Sequence, residues 1–357
     1  NTQVGFIVRG VGGGGINWEG DAHKDLTKPQ HASQTPDRLY QGCRSLQSIP
    51  FVPYVRNAGS EDYLRAFYEC RSLRALPDGF ADPDKFWFKN PSRLQNTFDT
   101  CYALKYLPKN LFGTSELTSC NSFYMMFREC RSLRYIPYLP VRSNSTVDLR
   151  YTFFNCLDLK AIPQGFHIKN VSSNGLLGTF QTCRECYDFS ALGGEANDLR
   201  SIQTTTITMQ NAFGNLDQLI EFPFIGQFTQ CTNATSMFYA ASQMLKFDDQ
   251  YTYLDFTQCA DMQQAFYAME NLQEIPPIHV TNLTSDNALF RTFHSCDSLR
   301  SVTFVGMLAG PSNGEYYECF RDCMSLQYIE GINFSYSNDS GDLSNAFYAA
   351  RNINYIK

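Results

Sequence analysis

Two absences narrow the function of this 357-residue sequence. It contains no apolar run that approaches the length of a transmembrane helix, so insertion into a membrane is not expected. It also lacks an excess of basic residues, because 29 Lys and Arg stand against 35 Asp and Glu and the formal net charge is -6. This balance provides no general attraction to nucleic acid or to an anionic membrane, and we expect neither as a partner.

The usual patterns of catalytic and metal sites are missing as well. The sequence shows no Ser, His and Asp constellation, no paired carboxylates at matched positions and no cluster of metal ligands. Cys183 and Cys186 form its only CxxC motif, and a zinc site needs a second pair or nearby histidines. The five histidines are far apart, and we interpret His294 as an ordinary surface residue. We therefore predict a protein that is not an enzyme and that holds no cofactor and no metal.

What the sequence does have is one short pattern repeated along most of its length. Residues 67–77 read FYECRSLRALP, which generalises to Phe-x-x-Cys-x-x-Leu-x-x-(Ile/Leu)-Pro. Twelve copies occur, and the residue that starts a copy, called the Phe position below, is Phe in eleven of them. Chance does not explain this, since Phe makes up 29 of 357 residues. The Phe positions are Tyr40, Phe67, Phe98, Phe127, Phe153, Phe180, Phe213, Phe238, Phe266, Phe293, Phe320 and Phe347.

The spacing of the copies predicts the fold. Successive Phe positions are 25 to 33 residues apart, a period typical of leucine-rich repeats. We predict an α/β repeat solenoid of leucine-rich-repeat type with about twelve coils of ~27 residues, each with one short parallel strand and one short helix or 3-10 turn. Apolar residues at every third place over 64–73 predict the helix or 3-10 turn, and residues 73–76 predict the strand. The variable stretches after the Pro are predicted to be surface loops.

Domain organisation follows from where the copies lie. Residues 39–357 are predicted to form the solenoid, with an uncapped C-terminal end. Residues 1–38 lack the repeat and are predicted to be a Gly-rich extension or cap. Their glycine run, 12–15, is not followed by Gly-Lys-Ser/Thr, so we interpret it as a flexible turn rather than a phosphate-binding loop.

Most of the thirteen cysteines have one place in the repeat. Eight lie three residues after the Phe position, where other copies have Leu, Ala or Met, so the place requires a small or medium apolar group. Neighbouring helices pack about 8–10 Å apart, which is too far for a disulfide. We therefore predict a ladder of reduced thiols at Cys43, Cys70, Cys101, Cys130, Cys156, Cys183, Cys296 and Cys323. The redox state of Cys120, Cys186, Cys231, Cys259 and Cys319 stays open.

The two residues between the inward Leu and Ile of each predicted strand line the exposed face of the sheet. In the second to fifth copies they place four cations in register, flanked by tyrosines. Arg and Tyr make good contacts to proteins and to anionic groups, although long cations on a sheet face are also consistent with simple solvation. The predicted partner-binding residues are Arg74, Lys105, Tyr106, Arg134, Tyr135 and Lys160. Four arginines just after the Cys are expected to add to the same edge: Arg44, Arg71, Arg131 and Arg184.

The last copy, residues 345–357, keeps its full apolar set almost to the final residue of the sequence. An uncapped coil exposes a slice of core to water. We therefore expect Phe347, Ile353 and Ile356 to form a contact, either with further chain or with another subunit of an assembly.

Copies such as 127–137 (FRECRSLRYIP) and 293–302 (FHSCDSLRSV) resemble the BspA-type leucine-rich repeats. The resemblance covers residues 39–356, although the connections here are longer than in that family. It implies a leucine-rich-repeat fold. It also implies a surface-exposed or secreted protein, since the family consists mostly of adhesion and interaction proteins of bacteria, some protists and viruses.

Three functional hypotheses follow. The first is a non-enzymatic binding or adhesion protein, extracellular, on a cell surface or on a virion, which contacts an anionic protein or glycan through the strand face. The second is an architectural subunit of an assembly, such as a virion decoration or tail component, which makes its contacts through its ends. The third is a hydrolase with a site assembled from the long loops.

Overall fold

The computed structural model describes residues 37–49, 63–81, 88, 91–141, 146–189, 199, 202, 204–222, 226–306, 316–332, 343 and 345–357. The chain divides into two compact units, unit 1 (Asn1–His167) and unit 2 (Ile168–Lys357). This division falls within the predicted repeat region. The predicted N-terminal extension lies outside the described residues except for Asp37 and Arg38.

The regular secondary structure of the described residues is mostly parallel strand, and helix is almost absent. One 3-10 helix, Asp78–Ala81, is present in the described part of unit 1. No helix in the described part of the chain is long and apolar enough to cross a membrane. The strands of unit 2 are β1 (Ile207–Thr208), β2 (Cys231–Asn233), β3 (Leu254–Asp255), β4 (Ile278–His279), β5 (Ser301–Val305), β6 (Tyr328–Glu330) and β7 (Tyr355–Ile356).

All strand pairs are parallel, as predicted. β1 pairs with β2, and the other five form one sheet in the order β3-β4-β5-β6-β7. The two ends of β5 pair with different neighbours. Phe304, near its end, lies opposite Ile278 of β4, whereas Ser301, at its start, lies opposite Tyr328 of β6. In unit 1 the same pairing is reduced to isolated parallel bridges, such as Ala75 with Tyr106.

Only some strands occupy the predicted place. β5, β6 and β7 overlap the predicted Leu-x-x-Ile segments, and inward Leu73 and Leu76 are buried as expected. β1 to β4 lie instead in the connections before the Phe position, which the sequence analysis predicted to be loops. That prediction is wrong for these connections, since Ile207, Leu254 and Ile278 are buried within them.

The segment around each Phe position is a run of overlapping turns rather than a helix. Around Phe67, the N–H groups of Ala66, Tyr68 and Cys70 each donate to the carbonyl three residues earlier. These are the bonds of a 3-10 turn, but they do not extend into a helix. In every copy the residues two before and two after the Phe position are left-handed, with φ of 52° to 65° in the non-glycine cases, and such a residue ends a right-handed turn. Of the two predicted alternatives, the helix is therefore wrong, whereas the 3-10 turn is present.

The left-handed residues turn alternate N–H groups toward the next copy. The N–H groups of Arg65, Phe67 and Glu69 donate to the carbonyls of Gln95, Thr97 and Asp99 at 2.8–3.1 Å. The same three bonds recur between consecutive copies within unit 1 and within unit 2, except that only two of them are described between the last two copies. A left-handed non-glycine residue costs about 1–2 kcal/mol, and these bonds and the burial of the Phe ring offset that cost.

The side chains at the Phe position stack face to face. In unit 1 the rings from Tyr40 to Phe153 follow one another at centroid distances of 5.2–6.1 Å and are within 11° of parallel. In unit 2 the rings from Phe180 to Phe347 follow one another at 5.2–5.8 Å and are within 18° of parallel. Consecutive copies are thus about as far apart as strands in a sheet, ~4.8 Å, rather than the 8–10 Å of packed helices.

A second set of aromatic rings fills the core beside this stack. Phe112 contacts Phe127 edge-on at 6.3 Å, and Phe247 contacts Phe238 edge-on at 5.5 Å. Phe112 comes from the stretch after the Pro, which the sequence analysis predicted to lie at the surface. These stretches therefore supply part of the core.

All thirteen cysteines are free, and only Cys43 is not buried. The reason given for reduced thiols, a spacing between copies too large for a disulfide, is nevertheless wrong, because the copies are close enough for disulfides. Six of the eight ladder thiols are instead held by hydrogen bonds: each of the six donates its S–H to the Phe-position carbonyl of the preceding copy at 2.9–3.1 Å. The donors are Cys70, Cys101, Cys130, Cys156, Cys296 and Cys323.

Phe266→Ala is expected to lower the free energy of unfolding by about 3–5 kcal/mol. Phe266 is fully buried, stacks on both Phe238 and Phe293 and makes two further edge-on ring contacts, so its removal leaves a cavity and breaks four ring contacts. Urea denaturation measures the loss. Tyr135→Ala is the control, because Tyr135 is 61% exposed and its removal should change stability by less than about 0.5 kcal/mol.

Ala268→Gly is expected to raise the free energy of unfolding by up to about 1 kcal/mol, because Ala268 is left-handed with φ of 55°. Ala265→Gly, three residues earlier in the same segment, is the matched control. Ala265 is fully buried and not left-handed, so that change should be destabilising by about 1 kcal/mol. Equal effects of the two substitutions in denaturation experiments would contradict the assigned conformation.

Candidate partner-binding face

The predicted cations lie side by side at the surface of unit 1. We call Arg74, Lys105, Arg134 and Lys160 the cation row. The first three are exposed and Lys160 is half-buried. Backbone bonds align them: Lys105 N–H donates to the Arg74 carbonyl at 2.8 Å, and Lys160 N–H donates to the Arg134 carbonyl at 3.0 Å.

Local strand geometry explains why these side chains point outward. Leu73 and Leu76 are buried, and the residues between them face the opposite side of the short parallel pairing that joins Ala75 to Tyr106. The tyrosines of the row are among the most exposed apolar side chains of the described residues, with Tyr106 at 66% and Tyr135 at 61%. The face therefore presents charge and aromatic surface together.

Three cations of this row keep their charge available. Within the described residues, the side chains of Arg74, Lys105 and Arg134 make no hydrogen bond or ion pair. An unpaired surface guanidinium or ammonium is free to bind a carboxylate, sulfate or phosphate of a partner, and Arg can do so with two parallel hydrogen bonds.

Each of the four arginines after the Cys is paired with a carboxylate, so these arginines add less free charge than the sequence analysis expected. Arg44 and Arg71 both contact Glu69, the former through Nε at 2.8 Å. Arg131 contacts Glu129 at 2.7 Å, and in unit 2 Arg184 lies 3.8 Å from Asp217.

An aromatic and cation stack beside the row was missed by the sequence analysis. Arg71 and Arg131 both lie over the ring of Tyr102, at 5.7 Å and 4.7 Å from its centroid. All three residues directly follow the Cys position in successive copies. The in-register Arg-Tyr-Arg sequence at this place could have predicted the stack.

Unit 2 provides an internal comparison for the same strand positions. Where unit 1 has cations, unit 2 has Ile220, which is 57% exposed, and Leu245, which is 40% exposed. Other copies place Gln273, Arg300 and Gln327 there. The backbone therefore accepts apolar, neutral and charged residues at this position, and solvation of the face does not require four cations in consecutive copies.

The predicted C-terminal contact residues retain exposed apolar surface. Ile356 is 41% exposed, and Phe347 and Ile353 are half-buried, whereas the equivalent Phe320 is fully buried. Tyr355 beside them is 43% exposed.

His294 is not an ordinary surface residue, contrary to the sequence-based interpretation. Its side chain is 12% exposed and its Nε2 lies 3.2 Å from Asp322 Oδ2. Burial, partly opposed by Asp322 and Glu318, lowers its pKa, so the imidazole is predominantly neutral at pH 7. Protonation on acidification is therefore destabilising, because the unfolded state binds the proton more readily.

Glu318 is the centre of the charged cluster next to His294. Its side chain is 3% exposed and accepts bonds from Arg291 at 2.7 Å and from Arg321. Burial alone would raise the pKa of Glu318, but the two guanidinium groups outweigh burial and lower it. Each of these charges has a partner within the cluster. The cluster therefore stabilises the turns and offers no free group for a ligand.

The remaining cysteines give no metal site or reactive site. Cys186 of the CxxC motif is buried, and burial raises its pKa to about 12, so the thiol stays protonated. Among the described residues, no group of three or more His, Cys, Asp or Glu side chains is placed to hold a metal ion. The five cysteines outside the ladder are all buried.

No known protein-family model and no curated protein sequence matches this chain.

Glu318→Gln is expected to lower the free energy of unfolding at pH 7, because Arg291 and Arg321 lose their ionised partner. Since the pKa of Glu318 is lower in the folded state than in the unfolded state, its stabilisation is complete above the unfolded pKa and is lost as pH falls through the folded pKa. The stability gap between wild type and variant should therefore narrow below about pH 4.

Urea denaturation at several pH values measures this gap. Glu330→Gln is the control, because Glu330 is exposed on β6 and its replacement should change stability little. A gap for Glu318→Gln that stays constant from pH 7 to pH 3.5 would show that the Glu318 carboxylate is not the ionised partner of the two arginines.

Proposed function

We propose that the protein is a non-enzymatic binding or adhesion protein that captures an anionic partner through the cation row and its flanking tyrosines. The observation that carries this proposal is the contrast between the two units: three consecutive unpaired cations in unit 1 stand at positions where unit 2 has exposed Ile220 and Leu245. The fold does not require the cations, so a partner is the better explanation for them.

The fold proposed with this function is a leucine-rich-repeat-like solenoid of about twelve coils. Three features support it: parallel pairing, backbone bonds that repeat from copy to copy, and Phe rings spaced 5.2–6.1 Å apart within each unit. In such an array a row of side chains runs along the stacking axis, which favours an extended partner.

The chemistry of the row indicates the partner class. Guanidinium and ammonium groups bind carboxylate and sulfate, and Tyr provides flat contact surface at little entropic cost. A protein with an acidic segment or an anionic glycan fits both features. The proposed location is extracellular, on a cell surface or on a virion, in line with the resemblance of the repeats to BspA-type proteins.

A second candidate function is an architectural subunit that makes its contacts through its ends. The exposed apolar surface of Phe347, Ile353 and Ile356 favours it. Light scattering distinguishes this function from binding through the cation row. Contacts through the ends predict self-association, and charge substitutions in the cation row should leave that self-association unchanged. Hydrolase activity, the third hypothesis, would appear in a screen of glycan and peptide substrates.

Neutralising the cation row is expected to abolish retention on immobilised heparin or poly-glutamate, used as sulfate and carboxylate probes. Retention of the wild type should weaken as salt rises, because exposed charges are screened over about 8 Å at physiological ionic strength. The substituted residues, all changed to Gln, are Arg74, Lys105, Arg134 and Lys160.

A matched variant removes the same number of charges from unit 2 and should keep its retention. Its substituted residues are Lys169, Arg300, Arg351 and Lys357, which are exposed or half-buried. Equal loss in both variants would mean that net charge alone controls retention. Salt-independent retention, or retention by the neutralised row, would refute the proposed face.

A further inference from the structure

The first rung of the thiol ladder differs from all the others. Cys43 is half-buried, whereas the other twelve cysteines are buried. Cys43 and Cys70 occupy the same place in consecutive copies, and Tyr40 and Phe67 beside them stack at 5.3 Å. The bonds from Tyr40 N–H to the Ala66 carbonyl and from Gly42 N–H to the Tyr68 carbonyl, both 2.8 Å, hold the two copies in register.

The two cysteines share one backbone acceptor and are close to each other. The Tyr40 carbonyl accepts the backbone N–H of Cys43 at 3.1 Å and the S–H of Cys70 at 3.1 Å. Because both residues reach the same carbonyl oxygen, the Cys70 sulfur lies next to Cys43. The Cys70 thiol has one proton. While Cys43 is neutral, Cys70 donates this proton to the Tyr40 carbonyl, and when Cys43 ionises, Cys70 is able to donate it to the Cys43 sulfur.

This arrangement distinguishes the chemistry of the two sulfurs. The hydrogen bond from Cys70 lowers the pKa of Cys43, although partial burial opposes it. The hydrogen bond with Cys43 and burial together raise the pKa of Cys70. Arg44, next to Cys43 in the sequence, is paired with Glu69. The Tyr40 phenol stays neutral, because burial raises its pKa. Cys43 therefore ionises first, and the thiolate is the nucleophilic form of cysteine.

We propose that Cys43 is a peroxide-reactive thiol and that Cys70 is its resolving partner, so that oxidation closes a Cys43–Cys70 disulfide between the first two copies. An accessible thiolate next to a second thiol is the arrangement found in cysteines that respond to oxidants. This site is distinct from the cation row and does not depend on the proposed binding function.

The chemistry balances with one molecule of hydrogen peroxide. The Cys43 thiolate attacks one peroxide oxygen, the O–O bond breaks and hydroxide leaves, which gives Cys43 sulfenic acid. The Cys70 sulfur then attacks the Cys43 sulfur, an S–S bond forms, and the sulfenic oxygen leaves as water with the Cys70 proton. Two thiols are oxidised and one peroxide is reduced to two waters.

The other rungs serve as internal controls. Cys101 and Cys130 occupy the same places in the next two copies, but both are fully buried, and burial raises the pKa of each thiol. Cys231 and Cys259, a neighbouring pair outside the ladder in unit 2, are also fully buried. If a short distance between two cysteines were enough for oxidation, these pairs would form disulfides as readily as Cys43 and Cys70.

The experiment treats the folded chain with stoichiometric hydrogen peroxide, blocks the remaining thiols and maps disulfides by peptide mass spectrometry. The expected product is Cys43 linked to Cys70, with Cys101, Cys130, Cys231 and Cys259 reduced. In parallel, limited maleimide labelling should modify Cys43 about ten times faster than any buried cysteine, because the buried thiols react only after local opening.

Cys70→Ala tests the role of the neighbouring thiol. Alanine already fills this place at Ala241 and Ala350, so the variant is expected to fold. Without the S–H donor, the pH at which Cys43 reaches half its maximal labelling rate should rise, and peroxide should leave Cys43 as sulfenic or sulfinic acid. Cys70→Ser, which keeps a donor, should restore the wild-type pH profile but not the disulfide.

Three results would overturn the proposal. One is a first disulfide at any other pair. Another is labelling of Cys43 no faster than that of the buried cysteines. The last is a pH profile of Cys43 labelling that is the same in wild type and in Cys70→Ala.

Discussion

The hydrogen bonds between consecutive turn segments are the constraint on which the other features depend. They fix the separation of neighbouring copies at about that of β-strands, and this separation lets Phe rings stack face to face and lets a cysteine reach the carbonyl of the copy before it. The same register aligns surface side chains into rows, such as Arg74 beside Lys105. A change in the turns would therefore alter the core and the surface together.

The sequence predicted the parts of the fold that depend on apolar periodicity. Parallel pairing, the inward Leu73 and the stacked Phe positions all follow from a pattern that keeps one buried face in every copy. The sequence left a helix and a 3-10 turn open, because a three-residue period fits both, and only the turn is present. Nothing at Arg65 or Glu69 signals a left-handed backbone, for which Gly or Asn is the usual marker.

For the candidate site, exposure could be predicted but pairing could not. Alternation along a strand places Arg74 and Arg134 outside, and both are exposed. Some arginines pair within their own copy, as Arg131 does with Glu129, but others pair with a residue in the next copy, about 27 residues away in sequence. Arg44 meets Glu69 across such an interval, and Arg71 meets Tyr102, so their charges are used within the fold. Only the three-dimensional register separates these arginines from the free ones.

The bonds between turn segments run in one direction, and this has an evolutionary consequence. Between turn segments the N–H groups donate only to the copy that follows, as Phe67 does to Thr97. The N–H groups of strand residues donate to the copy before, as Lys105 does to Arg74, so each copy presents a fixed pattern of donors and acceptors to each neighbour. A whole copy can therefore be duplicated or deleted within a unit, since its neighbours offer the complementary edges. A single residue inserted between the two left-handed positions would instead misalign the donors. Gene rearrangement in such proteins should consequently proceed by entire repeats.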